Sequence, residues 1–387
     1  MSADILGERI WSEIDLDNVI YNYNLISDWV NNKELMPVIK GNAYGHGAIQ
    51  VAKALIKAGA KRFAVATPYE ALQLRKAGIS LPVLILGAVP PEVVSELVDE
   101  DISLCLPNMD IVKSYKGAMC GGKRLKIHIK VDTGMTRLGL DTNDAVNNVL
   151  KIASDPSFEI EGIFTHFAAA DDSKNNQFTR TQFEIFQDII KQLVEKEINI
   201  PFIHCANSEG ILHHAFSYVH FNLVRSGIAL FGYGSKPEGK CHVRPVMSLR
   251  AQIVQLRWIE SGKSVGYSRT WTAKRKTLVA VVSAGYADGI RRNGSGKITM
   301  LVQGKKALQI GLICMDMCML DVTDIRNVKI GDTVTILGED GSCSINADEL
   351  AIACGTISYE IICTVGERVP RYYISSGHVV SQHVFDH

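Results

Sequence analysis

The 387-residue chain has no surplus charge: 41 Lys and Arg face 41 Asp and Glu, and its pI is about 7.1. With neither sign in excess, nothing draws it to nucleic acid or to an anionic membrane surface, and a small-molecule partner is the better expectation. No segment reaches the roughly 18 uninterrupted apolar residues of a membrane helix. The start, Met1 to Ile10, carries Asp4, Glu8 and Arg9 and lacks an apolar core of signal-peptide length, so a cytoplasmic location is expected. Nine cysteines include no CxxC pair, Cys314 and Cys318 being the closest, and reduced, buried thiols are the expectation. His213-His214, or His383 with His387, lack Cys or carboxylate neighbours at ligand spacing, so no metal site is expected. Internal repeats, low-complexity tracts and charge blocks are missing as well.

What is present is a soluble globular composition, 47% hydrophobic and 21% charged, with enough length for two domains. From about residue 10 to 240, strand-like runs alternate with helical patterns. Arg62 to Ala66, Pro82 to Leu86, Ile127 to Val131, Ile160 to Phe164 and Pro201 to Cys205 read as strands. Phe183, Phe186, Ile189, Ile190, Leu193 and Val194 recur at three- and four-residue steps, a helix burying one stripe. About eight such units, with no glycine-rich dinucleotide turn after the first strand, fit a (β/α)8 TIM barrel better than an open doubly wound sheet. Lys40, Lys130, His166, Ser208 and Arg225 all fall at or just past the C-terminal ends of these strands, and a barrel gathers such ends on one rim.

After about Val243 the texture becomes strands separated by turns. Thr277 to Ser283, Lys297 to Val302, Ala307 to Ile310, Cys318 to Val322 and Thr333 to Leu337 are the candidates, punctuated by Gly294-Ser295-Gly296 and Gly338-Glu339-Asp340-Gly341. Only Ala347 to Ala353 looks helical. The expected class is α/β: a barrel domain over residues 1–240, then a mainly β C-terminal domain over 241–387.

The run Val38-Ile39-Lys40-Gly41-Asn42-Ala43-Tyr44-Gly45-His46-Gly47 places a lysine where an apolar strand stops and a flexible glycine turn begins. An amine with a dry strand behind it can be held partly deprotonated and attack a carbonyl carbon, although a lysine in that place is also commonly a solvated charge. The literal string resembles the pyridoxal-phosphate lysine motif of alanine racemases, in which the Lys carries the cofactor and the following Tyr, here Tyr44, helps hold its phosphate.

The resemblance extends from about Glu8 to Arg371 through motifs in family order. Ser264-Val265-Gly266-Tyr267-Ser268-Arg269-Thr270-Trp271 is similar to the stretch bearing the tyrosine base, with Ser268 where the family commonly has glycine. Racemisation needs acid/base groups on both faces of a planar centre, and the resemblance assigns them to Lys40 and Tyr267. Because a tyrosine has a reference pKa of about 10, it needs a partner to act as a base. Gly162 to Asp171 resembles the motif whose histidine, here His166, links that tyrosine to an arginine below the cofactor. Phe221 to Gly232 carries that arginine, Arg225, with Ser226 where proline is usual. A guanidinium will not give up its proton, so the ring nitrogen stays neutral, which favours racemisation over transamination.

By the same resemblance, Tyr44, Ser208, Gly227, Ile228 and Tyr359 contact the cofactor phosphate. Lys130 to Gly139 assigns Arg137 to the cofactor's phenolic oxygen and the substrate carboxylate, and Lys130 to a lysine carbamylated in many relatives. Gly311 to Met319 assigns the Met315 backbone amide to the substrate carboxylate, with Leu312 replacing the usual arginine. Val282 to Gly289 places Tyr286 at the site entrance as a gating residue. The implied protein is a homodimer with active sites shared between chains, interconverting L- and D-alanine for peptidoglycan. The alternatives are a racemase of serine or a larger amino acid, a single-barrel pyridoxal-phosphate carrier, which would lack the β domain, and a decarboxylase, which would carry a carboxylate in place of Arg225.

Overall fold

The computed structural model describes residues 7–31, 33–119, 122–234 and 242–383. Met1 to Leu6, Cys120, Cys241, His387 and the expected domain boundary between residues 240 and 241 lie outside the described residues.

Eight short parallel strands form the first body: Glu34–Pro37, Phe63–Val65, Val83–Ile85, Ile102–Leu106, Leu125–Asp132, Phe158–Phe164, Phe202–His204 and Leu223–Ser226. Several are buried along their whole length, such as Phe63–Val65 and Ile102–Leu106, as expected for a parallel sheet covered on both faces. Pairing runs from Phe63–Val65 in sequence order to Phe202–His204. The last strand, Leu223–Ser226, pairs in parallel with the first, and a bridge from Val38 to Ala64 joins the first to the second. Between the final two, the Arg225 N–H donates to the Ala206 carbonyl at 3.1 Å. The result is the expected barrel, with helices between its strands.

The helix Asn176–Glu195 buries Phe183, Phe186, Ile189 and Leu193 as its periodicity predicts. Val194, counted in the same stripe, is exposed, because its 100° step from Leu193 turns it off the buried face.

The second body is antiparallel. Met247–Ile259, Thr277–Val282, Cys318–Asp321, Lys305–Ile310, Thr299–Val302 and Thr333–Asp340 pair in that order, and the last returns to the first, closing a six-stranded ring. Two sequence expectations change here. Gly338-Glu339-Asp340 continues a strand that pairs with Cys343–Ile345, so the turn is confined to Gly341 and Ser342. A second helix, Ser358–Cys363, follows Ala347–Cys354. Its six residues are too few to show a periodic stripe.

The strand Ile10–Asp15 leaves the barrel altogether. It lies in the second sheet, antiparallel to Met247–Ile259 on one side and parallel to Arg371–Ser375 on the other.

Cys105, Cys205, Cys318 and Cys354 are buried as expected, but Cys314 and Cys343 are partly exposed and Cys363 is exposed. Among the described residues no helix is long and apolar enough to cross a membrane, and no cluster of His, Cys, Asp or Glu could hold a metal ion.

Candidate active site

Leaving the strand Glu34–Pro37, the chain makes a left-handed turn: Gly41, Asn42, Ala43 and Tyr44 all have φ between 53° and 61°. Only glycine adopts this freely, and each of the other three costs about 1–2 kcal/mol. The turn persists because its ends are tied. Gly41 N–H donates to the Glu70 carboxylate, Ala48 N–H to Asn42 Oδ1 at 2.8 Å, and Arg371 Nε to the Gly45 carbonyl at 2.8 Å. His46 Nδ1 meets the carbonyls of Ala43 and Tyr44 at 2.9 and 3.0 Å. The flexible turn expected from Gly41 and Asn42 is therefore an ordered and strained one. It leaves Lys40 half-buried at the rim. Burial lowers the pKa of its amine, with Arg137 adding to the effect and Glu70 opposing it.

Arg225 forms the floor. One Nη donates to His204 Nδ1 at 2.7 Å; the other donates to the Thr165 carbonyl at 2.9 Å and to His166 Nδ1 at 3.1 Å. A guanidinium has no acceptor, so both Nδ1 atoms accept and both imidazoles carry their proton on Nε2. Burial, then the charge of Arg225, holds both histidines well below the ordinary imidazole pKa, in the neutral form. Burial also pushes Arg225 down to about 10, which still leaves it charged at neutral pH.

Lys130 is 2% exposed, and among the described residues its Nζ has no hydrogen-bond partner. Burial lowers its pKa to about 8, and the nearby cations Arg225 and Arg137 push the same way against Cys105 and Asp132. Arg137 lies on the loop beyond, where Asp132 Oδ1 accepts the N–H groups of Gly134 and Thr136 at 3.0 Å each.

Beside this floor lies a polar cradle. Ser208 opens a helix capped by Asn207, and its Oγ accepts the Gly227 N–H at 2.9 Å and the Ala229 N–H at 3.4 Å. Ile228 follows directly. The Tyr44 hydroxyl reaches Gly227 where any Cβ would collide with it, so this glycine is required by close approach. Tyr359 stands 6.1 Å from Tyr44, ring centre to ring centre.

The structure does not bring every sequence-assigned residue to this rim. Tyr267 is 68% exposed and Met315 53% exposed, both on the second body with Tyr286. Among the described residues no hydrogen bond or ring contact joins any of the three to Lys40, His166 or Arg225. Tyr286 and Met315 are nonetheless well supported. The Tyr286 and Ala287 N–H groups donate to the carbonyls of Cys314 and Met315 at 2.9 and 3.0 Å. Asp288, fully buried, accepts from Arg9 (2.6 Å), Arg368 (2.9 Å) and the Gly285 N–H (2.9 Å), while Arg368 also reaches Asp316. Ser268 has φ 53°, which explains the glycine usual there.

Sequence reasoning missed His204, Glu70 and Asp288. A signal existed only for His204: a histidine inside a predicted barrel strand, where branched apolar residues dominate.

Comparison with known proteins agrees with this arrangement. The family model described as alanine racemase, N-terminal domain, matches residues 14–235, and that for the C-terminal domain matches residues 246–373. The chain is 40% identical to the alanine racemase of Clostridium kluyveri over 96% of its own length and 95% of that protein. It is 41% identical to that of Methanococcus maripaludis over 96% of its own length and 100% of the relative. In structure it is similar to the Bacillus anthracis alanine racemase with bound L-Ala-P, with a TM-score of 0.91, 34% identity and 98% coverage of each chain.

Proposed function

The chain belongs to the alanine racemase family and is an isomerase, and from that premise we propose that it interconverts L- and D-alanine with pyridoxal 5′-phosphate as cofactor. The observation that carries this reading is the rim itself: Lys40 with a lowered pKa above an arginine that can only donate. The residues present fit the cofactor. The cradle of Tyr44, Ser208, Gly227, Ile228 and Tyr359 offers hydroxyls, backbone amides and a helix start to a phosphate. When bound, the cofactor supplies a planar electron sink for the charge left by the departing α-proton.

Lys40 carries the cofactor and moves the proton on one face. Arg225, still protonated at neutral pH, would face the cofactor's ring nitrogen with a donor only and so leave it neutral, which would favour racemisation over transamination. Arg137 would hold the cofactor's phenolic side and the substrate carboxylate, the latter shared with the Met315 amide. On the other face Tyr267 is the base. His166, with its proton on Nε2, can donate to the tyrosine oxygen and so stabilise the phenolate.

Tyr267 comes from a second copy of the chain. Its exposure, shared with Met315 and Tyr286, supports a homodimer in which the β domain of each chain covers the barrel mouth of the other. Lys130 is carbamylated: its neutral amine adds carbon dioxide and releases a proton, giving an anion between Arg137 and Arg225. The lack of a hydrogen-bond partner for Nζ among the described residues supports this, since an ammonium left without one there is costly. The enzyme works in the cytoplasm and supplies D-alanine for peptidoglycan. Both relatives carry the name alanine racemase, which disfavours serine or a larger amino acid as the main substrate.

The test is proton exchange. With pyridoxal phosphate in deuterium oxide, the purified protein should place deuterium at the α-carbon of alanine while equilibrating the enantiomers. A colourless protein that binds no cofactor and exchanges no proton would overturn the reading.

A further inference from the structure

Barrel interiors are filled by branched apolar side chains, but this one carries a polar chain toward its closed end. His204, whose Nδ1 accepts from Arg225, sets its Nε2 2.9 Å from His128 Nδ1. His128 in turn sets its Nε2 3.8 Å from Glu161 Oε2. Arg225 can only donate, so the His204 proton is on Nε2; that N–H donates to His128, whose own proton must then sit on Nε2, facing the carboxylate. A cation at one end and an anion at the other fix the same direction of polarity. Reversing either ring would set two N–H groups against each other.

Two independent features of the strand Phe158–Phe164 accommodate this chain. Its pairing with Leu125–Asp132 slips by one residue: Ile160 faces Ile127, but Gly162 faces His128, so Glu161 is the extra residue of a β-bulge, a device that re-aims a side chain. At Gly162 an added Cβ would lie 2.2 Å from His128 Nδ1 and 2.5 Å from its Cε1, so the imidazole packs directly on a backbone kept bare for it. Glu161 also accepts from the Ser103 hydroxyl, and Lys126 stands 4.0 Å away. Phe164 stacks on His204 with ring centres 4.9 Å apart, and Phe202 on His128 at 6.4 Å.

We infer that His128 and Glu161 are positioning residues: the bulged carboxylate and the imidazole lock His204 as an acceptor and thereby aim the Arg225 guanidinium at the barrel mouth. Burial keeps both rings neutral, with His128 lowered to about 3, so the lock holds across the working pH range. The inference rests on the reading of Arg225 given above.

The experiment is nitrogen-15 NMR of the histidine rings in the full-length enzyme, with and without pyridoxal phosphate. His128 and His204 should each show one neutral tautomer protonated at Nε2. His128→Leu removes the acceptor and should convert at least about a tenth of His204 to the Nδ1–H form. His128→Asn, which restores an acceptor, should return it to one form. Glu161→Gln should move the two His128 nitrogens toward averaged shifts. In the holoenzyme, cofactor lost to transamination per racemisation event should rise severalfold in His128→Leu and fall back in His128→Asn. An Nδ1–H form of His204 in the unsubstituted protein, or a His204 tautomer indifferent to His128→Leu, overturns the inference, as do unshifted His128 nitrogens in Glu161→Gln. Should the leucine variant not fold, the unsubstituted protein and Glu161→Gln still decide. The apoprotein spectra report the lock without cofactor, so failure to bind pyridoxal phosphate would refute the proposed function and leave this question to the rings.

Discussion

At the barrel rim Arg225 donates five hydrogen bonds and is buried, whereas at the β-domain rim Tyr267 stands 68% exposed on a turn of its own. Both rims are supported from behind: Arg225 by His204, and the Tyr286 and Met315 loops by the buried carboxylate of Asp288. The difference is in cover. Arg225, His166 and His204 of the barrel floor meet partners within their own chain, while Tyr286 and Met315 of the β domain have bonded backbones and open faces. An uncovered set of this kind is the reason we propose a second copy of the chain as its cover.

The largest effect is expected at the barrel rim. Lys40→Ala should lower turnover by more than about 10⁴-fold and abolish the visible absorbance of bound cofactor, because tether and base are lost together. Tyr267→Phe should keep that absorbance but slow proton removal from L-alanine by about 10²–10⁴-fold, with a far smaller effect on removal from D-alanine. Mixing these two inactive variants is the sharpest test of the comparison. If sites are shared, random exchange gives hybrids with one intact site, and about a quarter of the original activity returns. No recovery after proven subunit exchange would place the whole site within one chain.

Asp288→Ala should cost about 3 kcal/mol, read as a lower melting temperature, because two guanidinium groups lose their buried partner. The smallest effect is at Lys130. A lowered pKa means that the folded state resists the charge. That penalty is fully present below about pH 8 and is relieved as pH rises toward the unfolded value. In carbon-dioxide-free buffer Lys130→Met should therefore raise stability at pH 7 by about 1–3 kcal/mol while lowering activity. Unchanged melting across pH 7–10 in both proteins would remove Lys130 from the account.

The parts legible in sequence were those written locally. Apolar runs marked the barrel strands, their ends marked the rim, and the Lys40 string marked itself. Met247–Ile259 was missed: Met247, Leu249, Ala251 and Ile253 alternate with polar neighbours, but its changing partners blur the pattern past that point. The chain from Arg225 to Glu161 was not legible, since His128 and His204 meet across 76 residues and Glu161 arrives only through a bulge. Nor could the turn after Lys40 be read as ordered. Asn42, Ala43 and Tyr44 take positive φ in succession, and beside the local bonds of His46 and Ala48 the turn is tied by residues as distant as Glu70 and Arg371, which the local string does not reveal.

The first described strand, Ile10–Asp15, finds its parallel neighbour roughly 360 residues later, in Arg371–Ser375. On a ribosome delivering about 5–20 residues per second, the leading segment waits tens of seconds for its slot while every barrel strand is already available. Until release, the nascent β layer presents an open seam to proteases and to other unfinished copies. Cutting the gene into two separately expressed halves would strand the leading segment on the wrong piece, so a split protein should reassemble only when that strand is grafted ahead of the second half.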